Sequence, residues 1–530
     1  MKKLICSFLF VAGSLFFAAC SSDSGNDDPG AQTPAPELKT PIEAGNDLYG
    51  IVIDNTGSPI EGVVVSDGFS CVESDANGVY QMARNKDAYH VFYRIPADRA
   101  VPIANGLPCF WQKLSTSQQR YDFTLSAQQA VETKFTLFCV ADPQVQSDSD
   151  IARFKDETIP DIKKHSATFN TPVYGVTLGD IFFNTSSVNV FPTLMAQMGN
   201  VMHRDNTGIP LFQVMGNHDN SMKPKISEGS SNYDLGGRRE FESKFGPCDY
   251  SFDRGNVHIV CMDDILLKTE KHNPSTYESG FTDAQVEWLR QDLALVPKSK
   301  MVILCIHIPI RNSSENRMNE VCDLLNGFAE SHIMSGHTHY GQNYIYTSRN
   351  IYEHVHGAAC GAWWNSTVNK DGTPNGYGVY EIDGASIVNW YYKPTRMEKE
   401  FQIRMYRANE RFAYDDIQQF IYHNSDQIIA NIWNSDNRNW SVEVYEDGAK
   451  TGNMTRYTDN DVWAVGYHAG VLGKTTYTGS FDHLYYYKLQ DKDAAVEIRA
   501  TDKFGNTYKQ TMFTTNSQSD YPTVANYPKE

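Results

Sequence analysis

The chain has 530 residues, which at about 150 residues per domain gives three or four domains. Hydrophobic residues make up 41% and charged residues 21%, proportions that exclude wholesale disorder. With 46 basic against 64 acidic residues, a formal charge of −18, the balance argues against a general nucleic-acid binder, which meets phosphates with a cationic face. No apolar run reaches the roughly 18 residues of a membrane-spanning helix.

In chain order, Lys2 and Lys3 precede an apolar stretch over residues 5–19, and Ala18-Ala19 stands directly before Cys20. This is the layout of a secretory leader. The Ala-Ala-Cys run resembles the lipobox of bacterial lipoproteins, although Phe17 stands where that pattern prefers Leu. The resemblance implies that residues 1–19 are a removable signal peptide and that Cys20 is acylated. An ordinary secreted protein with an incidental Cys20 is the alternative. Residues 20–46 read as an acidic, Pro-rich tether that cannot bury a core, and two or more acyl chains would hold the protein on a membrane. The acidic run at residues 23–28 resembles signals that carry lipoproteins to the outer surface of some Gram-negative envelopes. Of ten cysteines, Cys139, Cys261 and Cys305 lie in apolar runs and read as buried thiols. Cys71, Cys109, Cys248, Cys322 and Cys360 could pair in an oxidising envelope, and none has the spacing of a Cys-type zinc site.

Residues 47–130 alternate short strands with turns such as Asn55-Thr56-Gly57-Ser58-Pro59 and Asp75-Ala76-Asn77-Gly78. The runs "GIVIDNTGSPIEGVVVSDG" and "ESDANGVYQM" resemble the carboxypeptidase-regulatory-like β-sandwich, which implies a spacer or stabilising module without catalysis. Residues 131–355 alternate strands with helix-length stretches, an α/β signature. Residues 356–530, rich in Tyr, Trp and Thr, read as a mostly β domain with a helix near residues 415–425.

The chemistry lies in the middle segment. Five apolar strands each run into a polar loop: residues 135–140 into Asp142-Pro143-Gln144, 172–178 into Gly179-Asp180, 210–215 into Gly216-Asn217-His218-Asp219, 301–306 into His307, and 333–334 into Gly336-His337-Thr338-His339. Ligands collect at the carboxyl ends of strands in α/β sheets, so five such loops can converge. Carboxylates, imidazoles and a neutral amide are the O and N donors that suit Zn, Fe and Mn. One carboxylate can bridge two cations about 3.5–4 Å apart that hold a hydroxide for in-line attack at phosphorus.

This order of motifs resembles the calcineurin-like metallophosphoesterases. The resemblance implies an α/β/β/α sandwich as catalytic domain, flanked by the N-terminal all-β sandwich and the mostly β C-terminal domain. It also implies two divalent or trivalent cations (Mn, Fe or Zn). By motif, Asp142 and His339 would bind the first, Asp180 would bridge, and Asn217, His307 and His337 would bind the second. His218 would serve the leaving group as general acid or contact a phosphoryl oxygen, with Asp219 orienting its imidazole. Gln144 stands where the common pattern has His, so it either binds the first cation or hydrogen-bonds its water. Phe183 occupies the place of the tyrosine of purple acid phosphatases, so no phenolate-to-iron colour is expected. The segment from Cys360 to Tyr377 resembles the C-terminal domain found beside calcineurin-like domains in bacterial envelope enzymes. Within it, Trp363 and Trp364 either line the cleft mouth for a sugar, base or acyl group or seal the domain interface.

The expectation is an envelope-tethered phosphoric ester hydrolase. Its substrate would be a phosphorylated small molecule, glycan or lipid, and its membrane contact would run through Cys20. The alternative is a surface glycan- or partner-binding lipoprotein with a vestigial site, for which Gln144 is the only sequence support.

Overall fold

Alternation along the strand Lys134–Val140 sets the plan of the middle domain. Phe135, Leu137 and Cys139 point to one side and join a core shared with a second sheet. Phe138 and Val140 point to the other and pack with Phe154, Ile159, Ile162 and Met198 of the helical layer. Such a period-two pattern, apolar on both faces, is what a strand covered on both sides requires. In the computed structural model, residues 36–183, 191–221, 233–268, 277–312, 317–408, 426–473 and 478–511 are described. The expected leader, Cys20, most of the tether and the helix near residues 415–425 lie outside them. Among the described residues no helix is long and apolar enough to cross a membrane.

The first sheet has five strands in the order Leu211–Val214, Val173–Leu178, Lys134–Val140, Gly376–Asp383, Ser386–Pro394. The first three are mutually parallel, and Gly376–Asp383 is antiparallel to Lys134–Val140. The second sheet has six strands in the order Tyr250–Arg254, Val257–Cys261, Met301–Cys305, Ser331–Ser335, Ile351–Val355, Gln342–Tyr346. Phe212 and Phe252 stack across the interior at 4.0 Å between ring centroids. The first sheet therefore runs through Pro394, past residue 356, where the sequence reading places the start of the last domain.

The N-terminal sandwich pairs a three-stranded sheet around Leu48–Asp54 with a four-stranded sheet around Val64–Ser66 and His90–Tyr93. It is welded to the middle domain. Phe110 packs 5.1 Å from Tyr250, and Trp288 Nε1 donates to Ser66 Oγ at 3.1 Å. Arg94 meets Asp253 and Asp292 at 3.5 and 3.3 Å, and the buried His258 bridges those two carboxylates at 2.9 and 2.8 Å. A cavity of about 240 Å³ lies along this junction beside Tyr89, His90, Arg238 and Asp249, and no metal-type residue of the five loops lines it. The C-terminal domain is a sandwich of two four-stranded sheets, one containing Gln427–Ile432 and Phe481–Lys488, the other Ser441–Glu446 and Val496–Thr501. Cys71, Cys248, Cys322 and Cys360 carry free thiols, as do the three strand cysteines.

Candidate metal centre

All five motif strands form as expected, and their carboxyl ends bring the polar loops together. The backbone there is unusual. Asp142, Gln144, Asp180, His337 and His339 have φ of 48°, 42°, 50°, 68° and 56°, the left-handed region that costs a non-glycine residue roughly 1–3 kcal/mol in strained sites. Cross-bracing between loops holds them there. Asp142 Oδ2 accepts from the His337 amide at 2.9 Å, Asp180 Oδ1 accepts from the His218 amide at 2.8 Å, and the Gln144 amide donates to the Asp180 carbonyl at 2.9 Å. The glycines are needed for room as well as for turning. Gly179 has φ 82° and a Cβ there would lie 2.5 Å from His307 Nδ1. Gly216 is extended, φ −118°, and a Cβ on it would overlap Asp180.

Two sets of donor atoms result. In the first, His339 Nε2 lies 3.4 Å from Asp142 Oδ1, and Gln144 stands beside Asp180, donating through Nε2 to Asp180 Oδ2 at 2.8 Å. In the second, His307 Nε2 lies 3.0 Å from Asn217 Oδ1 and 3.2 Å from Asp180 Oδ2. His337 Nδ1 lies 3.1 Å from both Asn217 Oδ1 and His307 Nε2. Asp180, His307 and His337 offer ligand atoms within 4.8 Å of one another, a group that can hold a metal ion. His307 Nδ1–H donates to the Leu178 carbonyl at 2.8 Å, which leaves Nε2 to face the site, the outer-shell arrangement typical of a ligating imidazole.

The field is strongly negative. Burial alone would lower His307, yet the neighbouring Asp180 and Asp142 carboxylates push it up to about 10. Burial and the charge of His307 take His337 down to about 4. Burial opposes ionisation of Asp180, but His307 and His218 hold its carboxyl well below the usual range. Buried carboxylates that draw positive charge in this way are suited to a cation.

His218 sits at the rim, its side chain 16% exposed while His307 is wholly buried. Its ring stacks on Phe183 with centroids 5.0 Å apart and planes 27° from parallel. Phe183 thus orients the imidazole. Asp219 does not take the role expected of it. It is fully buried, and its oxygens accept from the backbone amides of Gly216 (2.8 Å), Phe182 (3.1 Å) and Ile181 (3.3 Å). It holds two ligand loops together instead of holding the imidazole. Burial and the charge of Asp180 push it up to about 8.

The two tryptophans separate. Trp364 is buried and donates through Nε1 to the Pro143 carbonyl at 2.9 Å, so it wedges the first ligand loop. Trp363 is half-buried and lies against His339, with ring centroids 4.7 Å apart. Two contributors were missed in the sequence. Asp264, pushed up to about 7 by burial, accepts from the amides of His307 and Ile308 at 3.2 and 2.9 Å. Tyr277 O–H lies 3.3 Å from His337 Nε2. The Asp263-Asp264 pair after the apolar run 259–262 has the same strand-end signature as the other five loops. Tyr277 carries no local signal. His354 and His356 are structural: His354 stacks on Tyr352 at 3.9 Å, and His356 bridges the Ser335 carbonyl and Tyr380.

Three protein-family models match successive segments between residues 47 and 508. "N terminal of Calcineurin-like phosphoesterase" matches residues 47–128, "Calcineurin-like phosphoesterase" residues 135–341 and "C terminal of Calcineurin-like phosphoesterase" residues 353–508. The chain belongs to the calcineurin-like phosphoesterase family, and its middle domain is a metallophosphoesterase domain. The first domain, for all its likeness to a carboxypeptidase-regulatory sandwich, is matched by the N-terminal model of this same family. No curated protein matches the chain. Among solved structures, purple acid phosphatase PPD1 from yellow lupin (Lupinus luteus) seeds is similar at 14% identity and a TM-score of 0.34, over 63% of this chain and 67% of that one. A 5'-nucleotidase from Candida albicans is similar at 12% identity and 0.31, over 50% of this chain and 52% of that one. A 5'-nucleotidase precursor from Thermus thermophilus follows at 9% and 0.28, over 72% and 89%. The chain thus spans about half of the Candida enzyme.

Proposed function

We propose that the protein hydrolyses phosphoric esters with two cations, held by Asp142, His339 and Gln144 on one side and by Asn217, His307 and His337 on the other, with Asp180 between. The observation that carries this reading is a pair of buried acceptors, Asp142 Oδ1 and Gln144 Oε1, with no hydrogen-bond partner among the described residues. Leaving each unsatisfied costs about 1–3 kcal/mol, and a cation facing both would satisfy them. The Gln144 carboxamide then has a reason to differ from His, since its NH₂ braces Asp180 while its oxygen is left buried and free to accept a cation.

When bound, the cations supply the charge that activates an attacking water and neutralises the oxygens of an in-line displacement at phosphorus. The chain's own residues do the rest. Asp180 fixes the His218 amide, Phe183 fixes its ring, and the rim imidazole passes a proton to the leaving oxygen. Asp219 and Asp264 hold the loops that carry Asp180, Asn217 and His307. The leader sequence supports attachment to the envelope through Cys20, with phosphorylated small molecules, glycans or lipids as substrates. Loss of the protein from the membrane fraction on Cys20→Ala would test that attachment.

The deciding experiment strips the protein with a chelator, reloads it with Mn, Fe or Zn, and follows hydrolysis of an aryl phosphate and an aryl phosphodiester. Release that returns with metal, at two ions per chain, is expected. Binding of metal without hydrolysis of either ester would refute the reading.

A further inference from the structure

Lys370 is half-buried in the wall beside the first ligand set. Its Nζ lies 5.4 Å from the centroid of the Trp363 ring and 5.9 Å from that of Tyr340. Trp363 itself lies against His339, so the ammonium is one ring away from a residue of the first set. The placement is built from both directions. Trp363 and Trp364 are consecutive left-handed residues, φ 48° and 59°, and Trp364 is pinned to Pro143 between Asp142 and Gln144. Asp371, next to Lys370, accepts from the Gly341 amide at 2.8 Å, two residues beyond His339.

Other cations in this neighbourhood are already paired. Arg153 holds Glu157 at 2.8 Å, and Arg311 holds Asp482 at 3.2 Å. The Asp371 oxygens are taken by Gly341, Thr373 and His483. Among the described residues Lys370 makes no direct ion pair; the carboxylates of Asp371 and Asp142 act on it only through space, and its near contacts are two ring faces. Cation–π contacts compensate such an ammonium partly, and an anion entering the cleft would complete its solvation.

We propose that Lys370 recognises the charge of the substrate, so that the cleft selects phosphoryl groups with a second negative charge, monoesters over diesters. The proposal deepens the hydrolase reading above and rests on it. A phosphomonoester above a pKa near 6 carries about −2, whereas a diester carries a single charge. A cation that acts through space on Asp142 of the first ligand set interacts with both esters there, but more strongly with the dianion.

The test compares wild type, Lys370→Gln and Lys370→Arg, all metal-loaded, on 4-nitrophenyl phosphate and bis(4-nitrophenyl) phosphate, with metal content measured in parallel. Lys370→Gln should lower kcat/KM for the monoester by about tenfold to a hundredfold, and for the diester, with half the charge, by only about threefold to tenfold. Lys370→Arg should restore most of the loss, and metal content should not change. An equal loss on both esters, no loss on either, or a wild type that prefers the diester would overturn the assignment of Lys370. A wild type inert on both esters would instead overturn the hydrolase reading itself.

Discussion

Asp219→Asn separates two accounts of the Asn217-His218-Asp219 loop. Asp219 Oδ2 accepts from the Gly216 and Ile181 amides and Oδ1 from the Phe182 amide. Asparagine keeps one acceptor. With that oxygen placed where two amides converge, its NH₂ faces the Phe182 N–H, leaving a buried donor unsatisfied at a cost of about 1–3 kcal/mol. The lost bond joins the Asp180 loop to the Asn217 loop, so the cost falls on the geometry of the ligands on both. About 1.4 kcal/mol is a factor of ten in an equilibrium, so metal affinity should weaken by roughly tenfold to a hundredfold. The assay is metal retained per chain against graded chelator, with kcat followed across pH on reloaded protein. Metal should leave more readily, while the pH profile of fully loaded protein keeps its shape. Intact metal affinity with a displaced pH profile would mean that Asp219 acts on the His218 ring, and the loop-bracing argument would fail.

His218→Ala should behave in the opposite way, with turnover falling about a hundredfold or more, as for loss of a general acid, and metal content holding; unchanged turnover would remove the imidazole from the mechanism. A third expectation concerns stability. His258 is wholly buried, which alone would lower its pKa, but Asp292 and Asp253 outweigh burial and raise it. A folded value above an unfolded one of about 6.5 contributes stability fully below that pH and loses it as pH rises through the folded value. Thermal stability of wild type should therefore decline above neutral pH more steeply than that of His258→Gln, and parallel pH slopes would exclude the effect.

The convergence of the five loops on one candidate site was legible because each loop follows an apolar strand directly, and a strand buried on both faces announces itself in sequence. What escaped depends on where atoms meet. Asp219 follows His218, which invites a pairing of side chains, but the single 3-10 turn over Asn217–Asp219 sends the carboxylate back onto backbone. Gly216 looks like a turn residue, yet its φ is ordinary and its role is clearance for Asp180. The two tryptophans are adjacent in sequence and differ in environment, one wedging Pro143 and the other facing His339. The hairpin at Asp383-Gly384 reads in sequence as part of a β domain. Its partner, Lys134–Val140, is far away in the chain, and such pairing leaves no mark in either local sequence.

That hairpin has consequences for how the polypeptide is made and divided. Until Gly376–Asp383 is in place, Lys134–Val140, the strand that delivers Asp142, is the bare margin of its sheet, with unpaired amides and carbonyls open to any other strand. A chain emerging at about 5–20 residues per second keeps that margin open for many seconds. A fragment ending near residue 355 keeps it open permanently and should aggregate. The third family segment is consequently no cassette: its strands Gly376–Asp383 and Ser386–Pro394 are the closing staves of the catalytic sheet. A recombination seam that preserves the hydrolase has to fall beyond Pro394.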